Sequence, residues 1–165
     1  MDLKLLFAAI FLFAIASAII SDASRLVIPN WVPAILAGSF FPYALVYYGC
    51  SDALLHALVA FGLLAVGTIL FLRGQFGAGD VKLLAAAGLW AGPAKVIPLV
   101  VWTSLAGLAL AGTIVVYWWY LGRYHEAVST RFPMKQLAQW AKIGLCPYGI
   151  AIGAGALATV PAVFF

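Results

Sequence analysis

The chain has 165 residues, of which 66% are hydrophobic and 8% are charged. A soluble domain of this length has too little interior to bury so much apolar surface, which excludes the ordinary soluble classes. The net charge of +4 could indicate a nucleic-acid partner, but the basic residues are scattered among predicted loops, as the positive-inside rule requires of a membrane protein. Composition therefore predicts an all-α polytopic membrane protein, with one transmembrane domain over residues 1–165 and no nucleic-acid partner.

Polar breaks divide the chain into six apolar runs. A run of roughly 20 apolar residues can cross a bilayer as a helix. The predicted spans are approximately 5–20, 31–48, 53–72, 80–92, 96–120 and 146–165.

The first two breaks carry acids beside helix-ending signals. Asp22 is expected to end the first span, because Pro29 cannot continue a helix and pushes the residue before it into an extended conformation. Asp52 is predicted to be the N-cap of the third span. His56 lies one turn further on, where we expect it to form an interhelical hydrogen bond.

The fourth span is short, because Gly92-Pro93 follows Asp80 by only a dozen residues. At about 1.5 Å per residue these residues cover under 20 Å, against a hydrocarbon core near 30 Å. If the helix ends at Gly92-Pro93 near the far surface, Asp80 lies below the near surface. A helix that continued through Pro93 with a kink would remove this inference.

The last third of the chain contains an aromatic segment, a long loop and the sixth span. Residues 117–120 are all aromatic, as expected at a membrane interface. In the loop 121–144, helical spacing predicts a short helix on the membrane surface; its apolar face comprises Met134, Leu137, Trp140 and Ala141. Gly149 and Gly153 predict a close-packing face in the sixth span.

Lysine and arginine are distributed unequally between the two sides of this arrangement. Seven of the nine follow spans one, three and five, namely Arg25, Arg73, Lys82, Arg123, Arg131, Lys135 and Lys142. The positive-inside rule places these seven in the cytoplasm and both termini outside the plasma membrane. Asp22 and Asp80 then share the cytoplasmic side, whereas Asp52 lies on the other.

The segment with the most specific chemistry is Gly77-Ala78-Gly79-Asp80, which places a carboxylate at the end of a glycine-rich turn. Ionisable groups at membrane depth are costly and mark functional sites. The two glycines would let another backbone, such as a substrate strand, pass close to Asp80. Lys82 should point away from Asp80 and extend to the interface.

Two acids on one side of a membrane can carry out aspartyl proteolysis. Like charges held close together cannot both ionise, so the pair would share a proton. One acid then serves as base toward water and the other as acid toward the carbonyl oxygen, with no metal or cofactor. Other hydrolytic motifs are missing: Ser129 stands where H-E-x-x-H, starting at His125, needs its second histidine, and no G-x-S-x-G or Walker motif occurs.

These residues leave other classes of function open. Asp80 and His56 could carry ions through a small transporter, because membrane-embedded acids are common in proton pathways. In a non-catalytic assembly subunit, the aspartates would only hold helices together. The two cysteines, Cys50 and Cys146, have no zinc or disulfide spacing, and we expect both to be buried as small apolar residues.

Three separated pieces of the chain resemble the type IV prepilin peptidases, membrane aspartyl proteases with a GxGD motif. They are Asp22 with Ile28-Pro29-Asn30, Gly77 to Lys82, and Pro147-Tyr148-Gly149. The resemblance implies that Asp22 and Asp80 are the catalytic pair. It also implies removal of a short basic leader from prepilins at the cytoplasmic face, before the pilin's hydrophobic helix.

The chain departs from the larger bifunctional members of that family. It lacks their cytoplasmic insert with paired C-x-x-C motifs, so we expect no N-methyltransferase activity. The short form looks like the peptidases of tight-adherence (Flp-type) pilus systems, although short preflagellin peptidases share the pattern. Because the cytoplasmic side is basic, we expect recognition to depend on the substrate's apolar helix and on contacts near Gly77, Gly79 and Lys82.

Overall fold

The computed structural model describes residues 3–116 and 146–164, together with Trp119 and Trp140. In these residues it has α1 (Leu3–Arg25), α2 (Trp31–Tyr47), α3 (Cys50–Leu72), α4 (Ala78–Val116), α5 (Tyr148–Thr159) and a 3-10 turn (Pro161–Val163). This confirms the all-α class for the part of the chain described. By length and composition α1, α3 and α4 could each cross a membrane, whereas α2 and α5 are shorter apolar helices.

The first helix extends past its predicted end. Asp22 lies inside the last turn of α1, which ends at Arg25, so the prediction that Asp22 ends the first span is wrong. The Ser24 hydroxyl donates to the Ile20 carbonyl at 2.7 Å, and no proline occurs before position 29 to stop the helix. The helix ends where Leu26 takes a positive φ of 54°.

Helices α1 and α2 form an antiparallel pair. The rings of Phe7 and Tyr43 lie 5.5 Å apart at one end, and those of Phe13 and Trp31 lie 6.4 Å apart toward the other. The helix predicted over residues 31–48 is confirmed almost to the residue, because α2 runs Trp31–Tyr47. This pair leaves the end of α1 beside the turn that enters α2.

The third helix begins earlier than expected. Gly49 is its N-cap and Cys50 its first residue, so the assignment of Asp52 as N-cap is wrong. Asp52 instead occupies the first turn and is exposed, where a negative charge still complements the helix dipole. Only Gly67 of α3 is buried, against Val81 of α4.

The long α4 is a helical hairpin with a break at Gly92. Gly92 has φ 61° and ψ −170°, values outside any helix. In a straight helix Gly107 would lie about 44 Å from the start of α4. Instead it lies against the Tyr148 ring, whose centroid is 5.0 Å from that of Phe76, just before α4. The second segment therefore returns toward Asp80, as two separate spans were predicted to do.

His56 stabilises the turn of this hairpin. Pro93 has no N–H, so the Leu89 carbonyl four residues earlier loses its helical donor. The His56 Nδ1–H donates to that carbonyl at 2.7 Å. The imidazole also occupies the space where a Cβ at Gly92 would lie. His56 is thus the interhelical hydrogen-bonding residue that the sequence predicted.

The fifth helix packs between α1 and the second segment of α4. A Cβ on Gly153 would lie 2.5 Å from the Ile19 side chain, and one on Gly155 would overlap the Thr103 hydroxyl. These close contacts agree with the predicted small-residue face. The helix ends at Thr159, shorter than the predicted span, because Pro161 cannot continue it.

The predicted aromatic segment 117–120 and the surface helix in loop 121–144 lie outside the described residues, except for two tryptophans. Trp119 is exposed, and Trp140 is helical and buried.

Candidate active site

The two predicted acids line one cavity of about 240 Å³. One wall is formed by Asp22 and by the turn after α1, namely Leu26, Val27 and Ile28. The other wall is the glycine motif itself, residues 77–80. The fold thus brings together acids that are 58 positions apart in the chain. The cavity far exceeds the ~10–15 Å³ needed for one water.

Asp22 is held by the N-terminus of α5. The Gly149 N–H donates to Asp22 Oδ2 at 2.7 Å, and the Ile150 N–H donates to the same carboxylate. These groups belong to the first turn of α5, where N–H groups lack helical partners and the dipole favours a negative charge. Asp22 is only 5% exposed, so its carboxylate has little contact with solvent. The two backbone donors replace the lost solvent hydrogen bonds and fix the orientation of the carboxylate.

Asp80 occupies the first turn of α4, and its side chain bends back toward Gly77, the residue that precedes the helix. The Gly77 N–H donates a hydrogen bond to the carboxylate, as in the reciprocal half of a capping box. Asp80 Oδ1 is buried and has no hydrogen-bond partner among the described residues. A buried polar atom without a partner is costly, and this one is available to a water or a substrate group in the cavity.

The two motif glycines leave room for the chain's own side chains. A Cβ at Gly77 would lie 2.6 Å from Asp80 Oδ2, and one at Gly79 would lie 3.1 Å from the Cβ of Ile28. The missing side chains therefore let Asp80 fold back and let Ile28 pack against α4. Substrate contact at Gly77 and Gly79 stays a prediction.

Lys82 links the two predicted motifs. Its ammonium donates to Asn30 Oδ1 at 2.9 Å, so the Ile-Pro-Asn segment is joined to the helix that carries Asp80. Lys82 is exposed, as expected of a lysine that extends along apolar surface to a polar partner. Substrate binding by Lys82 stays a prediction.

Residues that sequence reasoning did not assign a role complete the cavity. Leu26 has φ 54°, a conformation that costs a branched residue energy and that is usual at helix C-termini. It turns the chain so that the Ser21 hydroxyl donates to the Val27 carbonyl at 2.7 Å. No local sequence pattern signals this, because glycine or asparagine normally occupies such a position.

The sequence predicted Gly149 as part of a close-packing face and of a matching segment, but did not indicate that its backbone holds Asp22. A Cβ there would lie 2.8 Å from both Asp22 Oδ2 and Ile28 Cδ1.

Neither cysteine is buried, contrary to the sequence-based expectation: Cys50 is exposed and Cys146 is half-buried. Cys146 immediately precedes Pro147 at the start of α5. Partial burial raises the pKa of the Cys146 thiol, and the nearby charges of Asp22 and Asp80 raise the pKa further. The thiol therefore lies in the electrostatic field of both acids. Within residues 3–116 and 146–164, no group of three or more His, Cys, Asp and Glu side chains could hold a metal ion.

Two carboxylates line one cavity at one end of a helical membrane protein, one fixed by backbone donors and one with an oxygen that has no partner among the described residues, and this arrangement is suited to acid–base chemistry. The family model for the type IV leader peptidase family matches residues 6–112, and the chain belongs to that family. The matched region includes Asp22 and Asp80 but ends before Gly149. No curated protein and no solved structure is significantly similar to the chain.

Proposed function

We propose that this protein is a membrane aspartic endopeptidase that removes the short basic leader from type IV, Flp-like prepilins at the cytoplasmic face of the plasma membrane. The observation that carries the proposal is the pairing of Asp22 and Asp80 across one cavity in a member of a leader peptidase family. Asp22 lies in the last turn of α1 and Asp80 in the first turn of α4, so both carboxylates can reach one substrate in the cavity between them.

The proposed reaction needs one proton shared by the two acids. The ionised carboxylate takes a proton from water, whose oxygen attacks the scissile carbonyl carbon, while the other acid donates its proton to the carbonyl oxygen. The tetrahedral intermediate collapses when the C–N bond breaks: the leaving amine takes a proton from the first acid, and one hydroxyl of the intermediate returns its proton to the second acid, which restores the starting pair. Gly149 keeps Asp22 oriented throughout, and Asp80 Oδ1 provides the oxygen that faces the reactants.

The arrangement of charges supports the proposed orientation. Arg25, Arg73 and Lys82 lie at the ends of α1 and α3 and at the start of α4, which is the end of the bundle that holds the acids. Lys4 lies at the opposite end, 5.3 Å from the Tyr47 ring. If the helical hairpin of α4 contributes two spans, six spans with both termini outside follow.

The structure gives the transporter alternative little support. The ring of Trp90 packs against Phe11, Phe40, Tyr43 and Phe164, so aromatic side chains fill the bundle beyond the cavity. His56 donates to the Leu89 carbonyl at the far end, where it serves the turn of the hairpin. Neither feature resembles a polar path across the bilayer.

Co-expression with candidate substrates tests the proposal. A small prepilin should shift to lower mass on a gel only when this protein is present, and a preflagellin assayed in parallel separates the two substrate classes. Mass spectrometry of the mature N-terminus should show no methyl group. If neither substrate is cut by abundant protein in the membrane, the peptidase proposal is wrong.

Reporter fusions test the orientation separately. An alkaline phosphatase fusion at the C-terminus should be active, and one within 128–133 should be inactive. The reverse result would place the acids outside and contradict cleavage at the cytoplasmic face.

A further inference from the structure

Two further cavities lie on the bundle formed by α2, α3 and α4, and the first of them borders the catalytic cavity. The first, of about 230 Å³, lies between α3 and α4 and includes Ala78, which also lines the catalytic cavity. The second, of about 240 Å³, lies between α2, α3 and α4 and shares Leu64 and Lys82 with the first. We call these two cavities together the lateral groove.

The groove is long enough for several turns of a helix. Along α4 it reaches from Ala78 to Leu89, a rise of about 16 Å or three helical turns. It therefore begins beside the acids and continues toward the far end of the bundle. A ligand that occupied both the catalytic cavity and the groove would have its reacting bond at one end and apolar surface along the rest.

The groove is lined by apolar surface with its polar groups already satisfied. Lys82 contributes its aliphatic stem, while its ammonium donates to Asn30. The hydroxyl of Thr68 donates to the Leu64 carbonyl at 2.7 Å. The occupant therefore needs to bring no polar partner into the groove.

Small residues on all three helices make the surface concave. They are Ala37 of α2, Ala60 of α3, and Ala85 and Ala86 of α4. Between helices in a bilayer, small residues allow close backbone approach, and packing supplies much of the association energy. A three-walled alanine surface is therefore suited to a polypeptide helix.

Helix α3 packs closely against α4, where a Cβ on Gly67 would lie 2.7 Å from the Val81 side chain, but much of its remaining surface is exposed. Gly67 is the only buried residue of α3, so the helix contacts its neighbours along a narrow face. An additional helix could bind beside it without displacing a packed side chain.

We propose that the lateral groove binds the apolar transmembrane helix of the substrate and so positions the preceding bond between Asp22 and Asp80. This inference rests on the proposed peptidase function and adds the surface that recognises the substrate. Because Ala78 lines both cavities, the groove lies next to the acids, and a polypeptide whose helix occupies the groove has the bond before that helix close to them, which favours a polypeptide occupant over a lipid chain.

Tryptophan substitutions that fill the groove test this proposal in the full-length protein. The protein is reconstituted with a single-span peptide probe, which carries a short basic leader before an apolar helix of about 20 residues. Ala60→Trp should raise KM about tenfold and affect kcat much less, because the groove contacts the substrate away from the reacting bond. Val66→Trp places the same side chain at an exposed position on the side of α3 opposite Leu64, outside the groove. It should leave KM within about twofold.

Photo-crosslinking gives an independent measurement that does not need turnover. Benzoylphenylalanine replaces either Leu64, in the groove, or Val66, which is also exposed but points to the opposite side of α3. In an Asp80→Asn background, the Leu64 position should crosslink to the probe's helix and the Val66 position should not.

The outcomes separate this inference from the proposed function. If the wild-type protein cuts the probe but both tryptophan variants have the same KM, or both positions crosslink equally, the groove is not the helix site. Crosslinks from position 64 to lipid alone would identify an acyl-chain groove and overturn the proposal. If the wild-type protein cuts no prepilin, the proposed function and this inference fail together.

Discussion

The backbone N–H of Gly149 donates a 2.7 Å hydrogen bond to Asp22 Oδ2, joining residues 127 positions apart in the chain. This bond fixes one of the two acids of the proposed active site against the start of the last described α-helix. It also makes the cavity dependent on a segment outside the region that matches the family model. If Asp22 and Asp80 are catalytic, changes to either acid or to Gly149 should impair leader cleavage.

The first prediction concerns the two acids. Asp22→Asn and Asp80→Asn should each reduce leader cleavage by about a thousandfold or more, because an amide cannot accept and release the proton. The amount of protein in the membrane should be nearly unchanged. The double variant should be no worse than either single one, because residues of one catalytic unit are strongly non-additive.

Asp52→Asn is the matched control, because Asp52 lies in the first turn of α3 away from the cavity. It should leave cleavage intact. The activity–pH profile of the wild-type protein should be bell-shaped, with two apparent pKa values that belong to the pair. Full cleavage by either single variant would remove that residue from the mechanism, and loss of the variant protein would favour a structural role.

The second prediction concerns Gly149. Gly149→Ala should abolish most cleavage, because the new Cβ would lie 2.8 Å from Asp22 Oδ2 and must displace that carboxylate. Gly62→Ala is the control: no atom lies within 4 Å of a Cβ there, and alanine in a helix interior is stabilising by roughly 0.5–1 kcal/mol. Equal activity of the two variants in a prepilin cleavage assay would show that Asp22 tolerates displacement.

The third prediction separates stability from catalysis at the opposite end of the bundle. His56→Phe keeps an aromatic ring beside Phe40 but removes the donor to the Leu89 carbonyl. The buried carbonyl then lacks a partner, which should lower the free energy of unfolding by about 1–3 kcal/mol. Cleavage per folded molecule should persist.

Thermal unfolding in detergent measures the loss, with Leu58→Phe at an exposed position of the same helix as control. If folded His56→Phe protein lost all cleavage activity, His56 would have a role in function and not only in stability.

The fourth prediction uses Cys146 as a probe of the acids. Because burial and the charges of Asp22 and Asp80 raise the pKa of this thiol, alkylation should be slow near neutral pH and accelerate as pH rises. In a Cys50→Ser background, Asp22→Asn removes one negative charge, lowers the thiol pKa and should speed alkylation at fixed pH. Asp52→Asn should not. Mass spectrometry of the modified protein follows the rate, and no difference between the two variants would place Cys146 outside the field of Asp22.

Local patterns in the sequence were sufficient to predict most of the helices and to single out the two acids that share the cavity. Apolar runs and proline positions predicted the second helix almost to its ends, and the glycine motif before Asp80 singled out that acid. The boundaries that were wrong depend on capping: α1 continues past Asp22, and Gly49 rather than Asp52 begins α3. A capping side chain contributes only about 1 kcal/mol. Packing contacts of the flanking residues can therefore decide where such helices begin and end.

Only the tertiary structure decided how the acids meet and what holds them. Asp22 and Asp80 share a cavity because Leu26 reverses the chain, Ile28 packs on Gly79, and the first turn of α5 supplies donors to Asp22. Each of these is a contact between distant segments, and hydrophobic periodicity carries no information about it. The sequence by itself determined a helical membrane protein with two acids available for catalysis, because composition and spacing are local properties. Their arrangement into one site is a property of long-range packing.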